Sequence, residues 1–174
     1  EPEIVTDGAC RQDIQRTHDA VSESVGQIND LELTKGGTFK WNHSRPSAML
    51  NYFLAACPAL STLFASRLQA SPCTPTSPWS IVLYADEVTP GATLKAVSER
   101  KSWAWYFTCL EFGSQHVARE ELWLPFGILR SGITKKVKGG VAAVARCVVR
   151  SFFGNSGASA CDDFCDNGVV LAPE

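Results

Sequence analysis

The apolar positions of this chain follow a helical rhythm up to about residue 70 and a strand rhythm after it. Ile14, Val21, Val25 and Ile28 recur at steps of seven, four and three, one stripe of an amphipathic helix predicted from Thr6 to Leu33. Asp30 and then Gly36-Gly37 supply its stop. The stripe spans too few heptads for a coiled coil, so packing against the rest of the chain is its expected use. Pro46 suits the first turn of a second helix, whose stripe is Met49, Leu50, Phe53, Leu54 and Cys57. Pro58 must end or kink it, because proline lacks the backbone donor and its ring clashes with the preceding turn. Leu60, Leu63, Phe64 and Leu68 continue a helical pattern to about Gln69.

From Ala70 to Pro78 the chain carries three prolines and no periodicity, the mark of a linker or rigid extended connection. Strand patterns follow. Trp79 to Asp86 is β-branched and aromatic and closes on Thr89-Pro90-Gly91; Trp103 to Phe112 is a second strand, closed by Gly113. Leu122 to Arg130 is a third, and its Pro125 removes a ladder donor, which points to an edge or bulged strand. Val141, Val144, Ala145, Val148, Val149 and Phe152 restore helical spacing from Val141 to Phe153, between Gly139-Gly140 and Gly154. A loop from Asn155 to Asn167 and a short strand from Gly168 to Leu171 complete the order. The expected fold class is α/β: a helical N-terminal region (1–70), a Pro-rich linker (71–78) and a β-β-β-α-β unit (79–174).

Composition agrees with an ordinary globular domain. The chain has 174 residues, 45% hydrophobic and 20% charged, enough apolar surface for a core of its own. Its 16 Lys+Arg against 18 Asp+Glu leave a net charge of −2, so no global basic field advertises a nucleic-acid partner. A local patch is available: Arg130, Lys135, Lys136, Lys138, Arg146 and Arg150 follow one another with no acidic residue between them. A solvated helix face with its preceding loop is the plain alternative.

The seven cysteines are odd in number, and no signal-like apolar run opens the chain, so a secreted disulfide framework is not expected. Cys57, Cys109 and Cys147 sit among apolar residues and read as small hydrophobes. Cys161 and Cys165 form a C-x3-C in a Gly/Ser/Asp-rich loop, a weak zinc signal without a second pair. No apolar stretch reaches the roughly 18 residues a spanning helix needs, so a membrane-embedded protein is not expected. Residue 1 is Glu, and the residues from Gly168 to Glu174 look like a strand just begun. Both ends are therefore expected to be cuts in a longer parent chain.

Candidate chemistry centres on acidic side chains. Asp86 follows Ile-Val-Leu-Tyr-Ala, and polar groups at the end of a central strand project into the crevice where open sheets bind ligands. A carboxylate beside an apolar strand is costly unless hydrogen-bonded, paired or metal-bound; the plain alternative is a strand-end Asp capping the following turn. Two-metal phosphoryl transfer needs two or three carboxylates holding Mg²⁺ ions roughly 4 Å apart, and Asp and Glu are the hard oxygen donors it uses. The further candidates are Glu87, Glu111 and the loop residues Asp162, Asp163 and Asp166. Glu111 would lie beside Asp86 if the first two strands pair as a long hairpin. The aromatics Trp79, Trp103, Trp105, Tyr106 and Phe107 suit base stacking in principle, but at alternating strand positions they read first as core. His18, His43 and His116 have no nucleophile signature nearby and read as surface or satisfied histidines. No G-x-S-x-G, P-loop or strand-following G-x-G-x-x-G is present.

The run Pro78-Trp-Ser-Ile-Val-Leu-Tyr-Ala-Asp-Glu-Val-Thr-Pro-Gly91, followed by Trp105-Tyr-Phe-Thr-Cys-Leu-Glu-Phe-Gly113, resembles a block of transposase-derived proteins of the CACTA and Plavaka type. The resemblance covers Pro78 to Leu171, about half the chain. It implies an RNase H-like core, incomplete here, and DDE-type DNA strand cleavage and transfer with Mg²⁺ or Mn²⁺. Asp86 matches the family's first acidic position, as catalytic residue and metal ligand, with Glu111 a weaker candidate; Arg130, Lys135, Lys136 and Lys138 would approach a DNA backbone. Ala92 departs from the family's Asn, and the later catalytic carboxylates would fall beyond residue 174, so the chain would be a fragment or relic, inactive alone. An intracellular, nuclear location is implied with it. The alternatives are a non-catalytic nucleic-acid- or protein-binding module, or a purely structural domain.

Overall fold

The structure is a computed structural model and describes residues 19–89, 101–119 and 122–153. The described residues build two small antiparallel sheets and a set of helices around one hydrophobic core. The α/β expectation holds at that level.

The N-terminal region is where the sequence expectation fails. Residues 19–25 are helical (α1), but the chain then becomes strand β1, Gly26–Glu32, paired antiparallel with β2, Thr38–Ser44. Ile28, counted in the helical stripe, is 60% exposed on the outer face of this hairpin. The inner face is Gln27, Asn29 and Leu31 opposite His43, Trp41 and Phe39. Half of those inward positions are polar, so no period-2 apolar pattern betrays the strand. Gly36 and Gly37 turn the hairpin with φ of 88° and 81°, a conformation costly for any residue with a Cβ. The part of the predicted first helix before residue 19 lies outside the described residues.

Helices α2, Pro46–Ala56, and α3, Pro58–Ala70, follow the expected division. Pro46 and Pro58 each stand in a first turn, and the chain bends by 113° between the two helices. The Pro-rich stretch is tied back rather than loose. Thr74 and Ser77 bridge across a tight turn, and the Trp79 indole donates to the Ser71 carbonyl at 2.8 Å while packing on Phe64 and Phe112.

The second sheet is a meander of β3, Ile81–Val88, β4, Ser102–Cys109, and β5, Leu124–Arg130, in the order β3-β4-β5. Between β4 and β5 stand a 3-10 turn, Leu110–Phe112, and the short helix α4, Ser114–Val117. The second strand thus stops three residues earlier than its apolar run suggests, because Leu110–Phe112 coils to seat Phe112, 1% exposed, in the core. Strand β5 lies at a sheet edge, and its register with β4 shifts at Trp105/Tyr106, beside Pro125, as the proline predicted. After β5 come a short helix, α5, Ser131–Thr134, and the long helix α6, Gly140–Phe153.

Helix α6 buries Val144, Val148, Ser151 and Phe152, one stripe at i, i+4, i+7 and i+8. That stripe covers the inner face of the meander, where Leu83, Phe107 and Leu124 share a row and Ala85, Trp105 and Gly127 share the next. Phe152 meets Phe107 at 5.1 Å and Phe126 at 5.7 Å between ring centroids. The hairpin closes the same core, with His43 stacked on Phe126 at 4.6 Å and Trp41 edge-on at 5.8 Å. The N-terminal region is therefore packed against the sheet. The loop from Asn155 to Asn167 and the strand from Gly168 to Leu171 lie outside the described residues.

Gly127 permits this junction. A Cβ there would stand 2.9 Å from the His43 Cβ and 3.1 Å from the Trp41 ring. Gly127→Ala should lower stability by about 1–3 kcal/mol, the usual range for overpacking. Gly132→Ala, with open space around it, should be neutral or slightly stabilising. Denaturant unfolding of both variants checks the pair, and equal behaviour would refute the seat.

Candidate functional site

Antiparallel pairing assigns every residue of the meander to one of two faces. Glu87, Trp103 and Leu129 share a row on the inner face, and Asp86, Ala104 and Ile128 share the next row on the outer face. Asp86 and Glu87 therefore leave the same strand end in opposite directions. Asp86 is exposed, and its Oδ1 accepts a hydrogen bond from the Glu87 backbone N–H at 2.7 Å. Tyr84, 50% exposed, precedes it on the same face.

Glu87 is already engaged. Ser131 Oγ donates to its Oε1 at 2.6 Å and Lys101 Nζ lies 3.3 Å from its Oε2. The Ser131 hydrogen bond, with the charges of Lys101 and Lys135 behind it, holds the Glu87 carboxyl below its ordinary range. Ser131 N–H also donates to the Lys101 carbonyl at 2.9 Å, so this latch ties the end of β5 to the start of β4.

Glu111 lies at the other end of the sheet. Its Oε1 accepts from the Ser80 N–H at 2.8 Å, which fixes the chain as it enters β3. Ile81 pairs with Cys109 and Asp86 with Ala104, so the two carboxylates stand about five strand residues apart, roughly 17 Å. The expected side-by-side placement of Asp86 and Glu111 is not what the fold produces: the hairpin is long, but its two carboxylates mark opposite ends. Asp162, Asp163, Asp166, Cys161 and Cys165 lie outside the described residues.

The cations divide as well. Arg130 is exposed at the end of β5 in the outer-face row of Val88 and Ser102, and Lys135 is close enough to act on Glu87. Lys136 is exposed in the turn beyond α5. Lys138 is drawn elsewhere: its Nζ pairs with Glu32 at 3.2 Å and its N–H donates to the Glu32 carbonyl at 2.8 Å. It lines a shallow depression under the hairpin turn with Glu32, Thr34 and Gly36. An exposed pair of that kind stabilises little.

This chain matches no family model, no curated protein and no solved structure. The site has to be read from its own chemistry. Among the described residues no group of three or more His, Cys, Asp or Glu side chains is arranged to hold a metal ion. Asp86 fits one carboxylate of a water-rich Mg²⁺ or Mn²⁺ shell, which takes one or two such ligands, but the described residues bring no second carboxylate to it. They do not by themselves make a two-metal centre. Among the same residues no single helix is long and apolar enough to cross a membrane.

A buried polar chain was invisible in the sequence. Asn29 Nδ2 lies 2.8 Å from His43 Nε2 and 3.1 Å from Cys147 Sγ, while His43 Nδ1 lies 3.0 Å from the Ser44 carbonyl. The consistent tautomer donates from Nδ1 to the carbonyl and accepts from Asn29 at Nε2. His43 is thus a satisfied core histidine, Cys109 is a small buried thiol as expected and Cys147 a half-buried one; burial pushes the Cys109 thiol up to about 12. Only the hairpin register, which pairs 29 with 41 and 27 with 43, could have revealed the chain.

Burial lowers the His43 pKa from its ordinary 6.5. The unfolded chain then binds a proton that the folded one refuses, so stability is full above 6.5 and falls as pH drops below it. His43→Gln should flatten that decline in thermal melts across this range; an unchanged slope would show that another group carries it.

Proposed function

We propose that this chain is part of a DDE-type, transposase-derived protein with an RNase H-like core, incomplete in itself and unable to cut DNA alone. The reading rests on the resemblance carried by Pro78 to Gly91 and Trp105 to Gly113, with one structural observation behind it. A three-stranded antiparallel meander runs into a helix packed across its inner face, and its first strand carries, two residues before its end, a carboxylate directed to solvent. Asp86 is the proposed metal ligand, for Mg²⁺ or Mn²⁺, with partner carboxylates supplied from beyond the described residues. Glu87 does not compete for that role, because Ser131 and Lys101 hold it on the other face. The proposed partner is DNA and the proposed setting the nucleus.

A second reading, a nucleic-acid-binding module without catalysis, draws on Arg130, Lys135 and Lys136. These exposed cations have no ion pair among the described residues, and Arg130 and Lys136 offer their charge to phosphate while that of Lys135 also acts on Glu87.

A Mn²⁺ titration followed by amide NMR separates the two. Paramagnetic broadening should begin at the amides of Glu87 and Ala104 and vanish in Asp86→Asn. Broadening that starts elsewhere, or survives the substitution, removes Asp86 as a ligand. DNA affinity that is unaffected by Asp86→Asn and falls steeply with salt would then leave the non-catalytic module.

A further inference from the structure

The outer face of the meander is built for a partner with flat rings. Tyr84 and the half-buried Tyr106 are direct cross-strand neighbours on it. Trp123 braces Tyr84 edge-on at 5.6 Å, and the Trp123 indole is itself anchored to the Val117 carbonyl at 2.9 Å. Tyr84 is therefore held in place while 50% exposed. Beyond Tyr106 the central strand puts the small residues Ala104 and Ser102 on this face, both buried, flanked by Ile128 and Val88, 62% and 38% exposed. This strip of exposed side chains, Tyr84, Val88 and Ile128 around the buried Ala104, marks a contact surface.

Charge selects the occupant. Arg130 closes one end of the strip on the same face, exposed and without an ion pair among the described residues. An occupant that offers π-faces to Tyr84 and Tyr106 and an anionic backbone to Arg130 has the chemistry of a single-stranded nucleic acid, whose bases are unstacked and free to lie on aromatic side chains. A duplex hides those faces. Asp86 stands in the same strip and repels phosphate unless a divalent cation bridges the two. We propose that this outer face is a stacking platform for the bases of a single strand, with the backbone directed toward Arg130. The proposal rests on the nucleic-acid reading of the same sheet and narrows it to unpaired strands.

The test is fluorescence anisotropy of the full chain with a labelled oligothymidylate, the same oligomer with abasic sugars, and a blunt hairpin duplex, each with Mg²⁺ and with EDTA. Oligothymidylate should bind more tightly than the other two under both conditions. Tyr84→Ala should weaken it by about 5- to 150-fold, the loss of one stacked base, while Tyr84→Phe keeps it. Arg130→Gln should lower the salt slope by about one phosphate contact without removing the preference for bases. Equal binding of the abasic oligomer overturns the platform, as does equal binding of the duplex. Self-association abolished by Tyr84→Ala and indifferent to oligomer would assign the face to a second copy and overturn it too. The metal reading fails separately: a base preference that persists in EDTA, with no Mg²⁺ effect removed by Asp86→Asn, keeps the platform and discards the ligand.

Discussion

Gly127 has no side chain, and two rings occupy the space that one would fill. Trp41 and His43 reach across from the hairpin into that gap and meet Phe126, which in turn meets Phe152 of the last helix. This junction joins three parts of the chain far apart in sequence, and each of the three depends on it. The hairpin alone is only two strands, too small a unit to be stable in water. Without helix α6 the meander would leave Phe107 and Leu124 in water. The outer face exposes Tyr84 and Asp86, while Leu83, Phe107 and Leu129 pack on the inner face.

The meander and α6 were legible because their apolar residues declare a period. Leu83, Ala85, Phe107 and Leu129 alternate with outward residues, and Val144, Val148 and Phe152 repeat by helical turns. The hairpin was not legible, since its buried face mixes Leu31 and Trp41 with Gln27, Asn29 and His43. Those polar groups are tolerable inside only with partners drawn from elsewhere, such as Cys147 for Asn29, and no local pattern encodes a partner more than a hundred residues away. The exposed Ile28 then imitated a helical position. Strand ends suffered similarly: Glu111 seemed to extend β4 toward Asp86, yet the turn that buries Phe112 sends it to the opposite end.

The two neighbouring carboxylates show how a single step along a strand divides roles. Glu87, inward, fastens Ser131 and Lys101 and so holds the three strand ends together. Asp86, outward, has only the backbone N–H beside it among the described residues and keeps its charge toward solvent. One residue of slippage in β3 would exchange them, placing Asp86 on the core side and turning Glu87 outward, away from Ser131 and Lys101. The register fixed by Leu83 opposite Phe107 thus guards the chemistry as well as the packing.

The meander's two margins are not equivalent. Along β5, Pro125 offers no N–H, the ladder is out of step at Trp105/Tyr106, and the Ile128 carbonyl is taken by the Trp41 indole at 3.1 Å. That side is sealed against any incoming strand. Along β3 the backbone from Ile81 to Val88 has no second neighbour among the described residues. Growth of this sheet, whether by further chain or by another molecule, can proceed in one direction only, and it begins beside Asp86.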